Sequence, residues 1–125
     1  MVTSFELYQE GAESTAGNTE LAVLALGLGG ETGEVLDIIK KVMGHSQALN
    51  VDKIGEELGD VLWYVAMLCT HLNLDMGEVA HNNLRKLQKR HPAGFDPSYH
   101  DAPKGMAAVD EYLSRGSGYH PPGIE

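Results

Sequence analysis

The chain has 125 residues, 42% of them hydrophobic, and 18 acidic against 9 basic side chains give it a formal charge of −9. That length supports one domain with a small core. The negative excess excludes a general binder of nucleic-acid polymers or membrane surfaces, which would need a basic face, but it admits a phosphate-bearing small molecule whose bound cation inverts the local field.

The hydrophobic pattern is helical almost throughout. A first helix is expected from Ser4 to about Ser14, with Phe5, Leu7 and Tyr8 as its larger groups. Gly17-Asn18-Thr19 breaks it, and Thr19 is the expected cap of a second helix reaching Met43. Leu24, Leu28, Val35, Ile38, Ile39 and Val42 recur there at helical spacing and form one stripe. The same segment holds Gly27, Gly29, Gly30 and Gly33, each costing up to ~1 kcal/mol in a helix interior. Two readings stay open for them: close packing of another backbone, or room beside a ligand. Gly44 to Asn50 is a polar turn, after which Val51 or Asp52 opens a third helix ending near Leu72. Its stripe is Ile54, Leu58, Val61, Val65 and Leu68; Trp63 falls on the opposite side, which predicts a second interface in preference to a platform for a nucleobase. Asp75 caps a fourth helix that Pro92 terminates, with Leu84 and Leu87 expected to face the core. From Ala93 the periodicity weakens; a short helix is expected over Met106 to Leu113, and an extended tail from Gly116. No β-alternation is present, so the expected class is all-α and bundle-like, with the domain over 1–100 and a tail over 101–125.

Two acidic pairs carry the chemistry. Glu31-x-x-Glu34 lies in the second helix and Glu57-x-x-Asp60 in the third, and residues three apart share one side of a helix. On a wheel of roughly 100° per residue Glu31 falls within its apolar stripe and Glu34 beside it, while Glu57, Asp60 and Tyr64 run along the flank of theirs. Carboxylates converging at a helix interface repel one another unless a cation lies between them, so these four residues read as a divalent-metal site. In the fourth helix Asn83, Lys86 and Arg90 lie along one side. They read either as a solvated basic face or, beside such a metal site, as the counter-charge for a polyphosphate.

These blocks resemble the MazG family of all-α nucleoside triphosphate pyrophosphohydrolases. The resemblance rests on Gly30-Glu31-Thr32-Gly33-Glu34-Val35, on Glu56-Glu57-Leu58-Gly59-Asp60-Val61-Leu62-Trp63-Tyr64, and on Asn83-Leu84-x-Lys86-Leu87-x-x-Arg90-His91-Pro92. The pairs stand in the family's order, with 22 residues between Glu34 and Glu57, and the likeness runs from about residue 5 to 96. It takes in Tyr8-Gln9 near the start and Gly94-Phe95 after the last helix. It implies a four-helix-bundle-type fold and hydrolysis of a (deoxy)nucleoside triphosphate between its α and β phosphates, releasing monophosphate and pyrophosphate. Glu31, Glu34, Glu57 and Asp60 would hold Mg²⁺, with Mn²⁺ as a substitute, and Glu34 is the expected general base. Asn83, Lys86, Arg90, Tyr8 and Gln9 would contact substrate.

Two other readings compete. Glu78-x-x-His81 matches half of a ferritin-like di-iron site, which needs a second copy of that motif that the chain lacks. A non-catalytic helical interaction module would treat the acidic pairs as polar edges. Apolar surface on more than one side of the third helix, together with the resemblance, predicts a homo-oligomer, either a dimer or a tetramer. Cys69 has no partner for an internal disulfide and is expected to be a buried thiol. No basic-then-apolar leader is visible, and the run from Leu58 to Leu74 is too short and too interrupted to span a bilayer, so a soluble cytoplasmic protein is expected.

Overall fold

Four helices account for most of the described chain. In a computed structural model the described residues are 3–17 and 19–94, and they form α1 (Phe5–Ser14), α2 (Leu21–His45), α3 (Val51–His71) and α4 (Met76–Arg90), with no strand among them. The chain divides into two compact units, 1–86 and 87–125; of the second, only the end of α4 and the residues to Gly94 are described. The domain boundary expected at residue 100 and the short helix expected over Met106 to Leu113 lie outside the described residues.

Local chemistry explains most helix ends. Ser4 accepts a hydrogen bond from the Leu7 amide and caps α1. Asn50 accepts from the Lys53 amide at the start of α3, and Asp75 from the Glu78 amide at the start of α4. The expected cap at Thr19 is corrected: α2 starts from Glu20, whose backbone is extended and whose side chain makes no capping bond. The helix therefore begins where the backbone turns, without help from a hydroxyl. Ser46 and Asn73 take the left-handed conformation just beyond α2 and α3, and the Leu74 amide closes the end of α3 by bonding to the Cys69 carbonyl at 2.8 Å.

In the first unit α3 is the central element, packing on α2 and on α1. The core is small: Ala12, Leu24, Ala66, Met67, Cys69 and Met76 are buried. Ala12 and Ala66 are small enough to let α1 approach α3 closely. The C-terminal half of α3 is therefore enclosed, whereas its N-terminal half lies mainly along α2. This changes the expected stripes. Leu58, expected inside, is 52% exposed, and Ile39 is 37% exposed. Leu84 and Leu87, expected to face the core, are 65% and 41% exposed, because α4 is buried through its first turn at Met76 and not through these later positions. Cys69 is buried as expected.

Trp63 is also corrected. Its indole nitrogen donates to the Thr15 hydroxyl at 2.8 Å, and its ring packs edge-on against Tyr64 with centroids 5.0 Å apart. The second interface expected for Trp63 is thus with α1 of the same chain.

A candidate carboxylate metal centre

The hairpin of α2 and α3 brings distant acidic residues together. Gly27 fixes the register: a Cβ there would overlap the ring of Tyr64, so the tyrosine lies directly on the α2 backbone. One turn further along α2 comes Glu31, and one and two turns back along α3 come Asp60 and Glu57. Carboxylate oxygens of these three residues all lie within 4.8 Å of one another. Glu31 and Glu57 are half-buried and Asp60 is exposed.

The electrostatics match that geometry. Desolvation, and then the charges of Asp60, Glu57 and Glu34, push the Glu31 carboxyl above its ordinary value. Tyr8 lies at the edge of the cluster: its hydroxyl donates to the Gly59 carbonyl at 3.4 Å, and burial followed by the charge of Asp60 raises its pKa. The donor set consists of hard carboxylate oxygens with water able to complete the shell, which fits a hard divalent cation such as Mg²⁺.

The remaining site candidates are distributed differently. Glu34 is exposed one turn beyond Glu31; it acts on the Glu31 carboxyl through its charge but is not one of the three clustered residues. Gln9 is turned away from the cluster. Its amide nitrogen donates to the Thr70 hydroxyl at 3.1 Å and the Leu74 carbonyl at 2.9 Å, and its oxygen accepts from the Met76 amide at 2.8 Å. These bonds tie α1 to the α3–α4 turn. Asn83 and Lys86 are exposed on α4, and no ion pair or hydrogen bond joins them to the carboxylates among the described residues. Arg90, exposed in the last turn of α4, belongs to the second unit. Glu78 and His81 are exposed and join no metal-ligating group among the described residues.

Sequence reasoning passed over the cations nearest the acids. Lys53 reaches Glu57 at 4.0 Å from one turn away. Asp37 holds Lys40 at 2.6 Å and Lys41 at 2.5 Å, and its own pKa falls to about 2 through those bonds. The signal was available as the spacing of four between Lys53 and Glu57 and of seven between Glu34 and Lys41, both of which repeat one side of a helix. The glycines also separate. Gly27 is filled by Tyr64, whereas Gly29, Gly30, Gly33 and Gly59 have nothing within 4 Å of a Cβ position, so close packing explains the first and leaves open space beside the acidic residues.

An all-helical domain with a carboxylate trio on a helix hairpin defines the class. Residues 19–95 match the model of the MazG nucleotide pyrophosphohydrolase domain, and the chain belongs to that family. It is also similar to the Gene 37 protein of Mycobacterium phage L5, at 35% identity over 102 residues, covering 71% of this chain and 90% of the relative. No solved structure gives a significant match. The family makes the domain a nucleotide pyrophosphohydrolase, a hydrolase acting on phosphoric anhydride bonds. Among the described residues no helix is long and apolar enough to cross a membrane.

Proposed function

We propose that this chain hydrolyses (deoxy)nucleoside triphosphates to the monophosphate and pyrophosphate, with Mg²⁺ held by Glu31, Glu57 and Asp60 and with Glu34 completing the site. The observation that carries this reading is the convergence of three carboxylates from two helices within 4.8 Å, an arrangement that is repulsive until a cation neutralises it. When bound, the cation supplies Lewis acidity to the phosphate oxygens and acidifies water in its shell. Mn²⁺ presents similar chemistry to oxygen ligands and substitutes for Mg²⁺.

The chain's own groups do the rest. A water oxygen attacks the α phosphorus, and the bond from that phosphorus to the oxygen bridging to the β phosphorus breaks. Glu34 takes the proton of the attacking water; its exposed position one turn from Glu31 leaves it free of the trio. Tyr8, beside Asp60, borders the substrate, while Asn83 and Lys86 contribute counter-charge and hydrogen bonds to the phosphates. Gln9 contributes by holding α1, and so Tyr8, in place. The working unit is a homo-oligomer in the cytoplasm, a dimer or a dimer of dimers.

A panel of nucleoside triphosphates with Mg²⁺ tests this reading directly. Monophosphate and pyrophosphate are the expected products; diphosphate and orthophosphate would overturn the α–β assignment. Substituting Glu31, Glu34 or Glu57 by Gln, or Asp60 by Asn, is expected to lower turnover by orders of magnitude with the helical signal intact. Near-normal Mg²⁺-dependent turnover in all four variants would refute the site.

A further inference from the structure

The carboxylate trio has two chemically different ends along the hairpin. Toward the open end of α2 and α3 it is bordered by Tyr64, lying on Gly27, while Tyr8 reaches the Gly59 carbonyl between Glu57 and Asp60. Toward the α2–α3 turn each helix carries a cation beyond its acidic pair. On α3, Lys53 reaches back to Glu57 at 4.0 Å. On α2, Lys41 stands seven residues beyond Glu34, about 20° away on the same side and about 10 Å along the axis.

The antiparallel register sets Lys53 level with the carboxylate that holds Lys41, one turn before Lys41 itself. Gly27 lies against Tyr64, and Glu31 converges with Glu57 and Asp60. Paired positions in the two helices therefore sum to about 90, which sets Asp37 level with Lys53. Asp37 binds Lys40 at 2.6 Å and Lys41 at 2.5 Å, so one carboxylate holds two ammonium groups and the group keeps a net positive charge. Of the pair, Lys41 lies on the Glu34 side. Lys40 lies about 180° from Glu31 on the wheel and faces away from the cluster.

A nucleoside triphosphate has the same polarity, with an aromatic, weakly charged end and a polyanionic end. We propose that the bound nucleotide lies along the hairpin with its β and γ phosphates toward the α2–α3 turn, and that Lys41, steadied by Asp37, contacts the leaving pyrophosphate. This rests on the pyrophosphohydrolase reading above and adds to it a substrate direction and a phosphate-contacting residue. Lys41 keeps half of its side chain exposed, at 49%, so a phosphate oxygen reaches it without unfolding the helix. One ammonium can serve both Asp37 and a phosphate because it carries three donors.

The test compares the full-length protein with its Lys41→Met, Lys41→Arg and Lys40→Met variants by calorimetric titration with Mg²⁺-pyrophosphate, and separately with the nucleoside monophosphate of the best substrate. Lys41→Met is expected to weaken pyrophosphate binding on the order of tenfold, the scale of one lost charged hydrogen bond, and to leave monophosphate binding within about twofold. Lys41→Arg retains the cation and is expected to keep most of the pyrophosphate affinity. Lys40→Met removes the same charge from the far side and is expected to change neither ligand more than about twofold. Equal loss in both lysine-to-methionine variants would reduce the effect to net charge and overturn the proposal. Unchanged pyrophosphate binding in Lys41→Met, or an equal loss for monophosphate, would also overturn it. Failure of the underlying reading looks different: the unaltered protein would then release no pyrophosphate from any nucleotide.

Discussion

Glu31 is the residue on which the site's charge balance turns. Its carboxyl is raised above the ordinary value of 4.5 by desolvation and by three neighbouring carboxylates. A raised folded pKa means that the metal-free native state binds more protons than the unfolded chain across that window. Stability therefore declines as pH rises through the ordinary value toward the raised one, and the loss persists at neutral pH. On the proposed reading Mg²⁺ would reverse this by replacing proton with cation. Two expectations follow at this scale. Mg²⁺ should stabilise the fold more at neutral pH than at about pH 4, as read by thermal melting. At about pH 5 binding should release protons, measured by calorimetry in two buffers of different ionisation enthalpy. Proton release that is absent in the protein yet present in Glu31→Gln would refute the role given to Glu31.

At the scale of helices, α2 shows two uses of glycine. Gly27→Ala forces the Tyr64 ring away from α2, and overpacking of this kind costs about 1–3 kcal/mol. Gly30→Ala and Gly33→Ala meet open space and should gain up to ~1 kcal/mol from helix propensity. If that space admits substrate, these two variants should nonetheless lose activity. Urea denaturation beside turnover separates the cases; full activity in both would mean the space is not used. Gln9 serves the next element. Its three hydrogen bonds at 2.8–3.1 Å reach Thr70, Leu74 and Met76, so Gln9→Ala should cost roughly 1–3 kcal/mol. It should also speed hydrogen exchange at the Met76 amide, and unaltered exchange there would show that α1 does not hold the start of α4.

For the molecule as a whole, the uncovered apolar surface is the dominant fact. On α2, Leu36, Ile39 and Met43 are 64%, 37% and 67% exposed, and their spacing of three and four makes a second stripe on a side away from α3. Leu84 adds exposed surface on α4 at 65%. Soluble monomers rarely leave such rows open, and symmetric self-association is the common way to cover them. Light scattering at micromolar concentration should give a mass at least twice 13.5 kDa. Leu36→Glu should shift it toward the monomer. A stable, active monomer of the unaltered chain would refute self-association, and an unaltered mass in Leu36→Glu would move the interface elsewhere. Because Trp63 is engaged with Thr15, a charge placed there should destabilise the α1–α3 contact first.

The helices were legible because each is specified by residues within a few positions of one another: the cap at Asp75, the stop at Pro92 and the 3.6-residue recurrence of apolar groups all act locally. The two acidic pairs were legible for the same reason, since three-residue spacing fixes a side of a helix. Which helix each side meets is not local. Trp63 lay off the apolar stripe of α3 in sequence, yet it packs on α1, because α3 has neighbours on two sides and a wheel describes only one helix. Gln9 looked like a substrate contact, and only the fold revealed that its amide is committed to backbone and hydroxyl groups more than 60 residues away. The hairpin register likewise decided which carboxylates meet: Glu31, Glu57 and Asp60 converge while Glu34 stands off by one turn. A helical sequence sets angular position along one axis, and the distance between two such axes depends on side chains, such as Tyr64 against Gly27, whose partners only tertiary packing supplies.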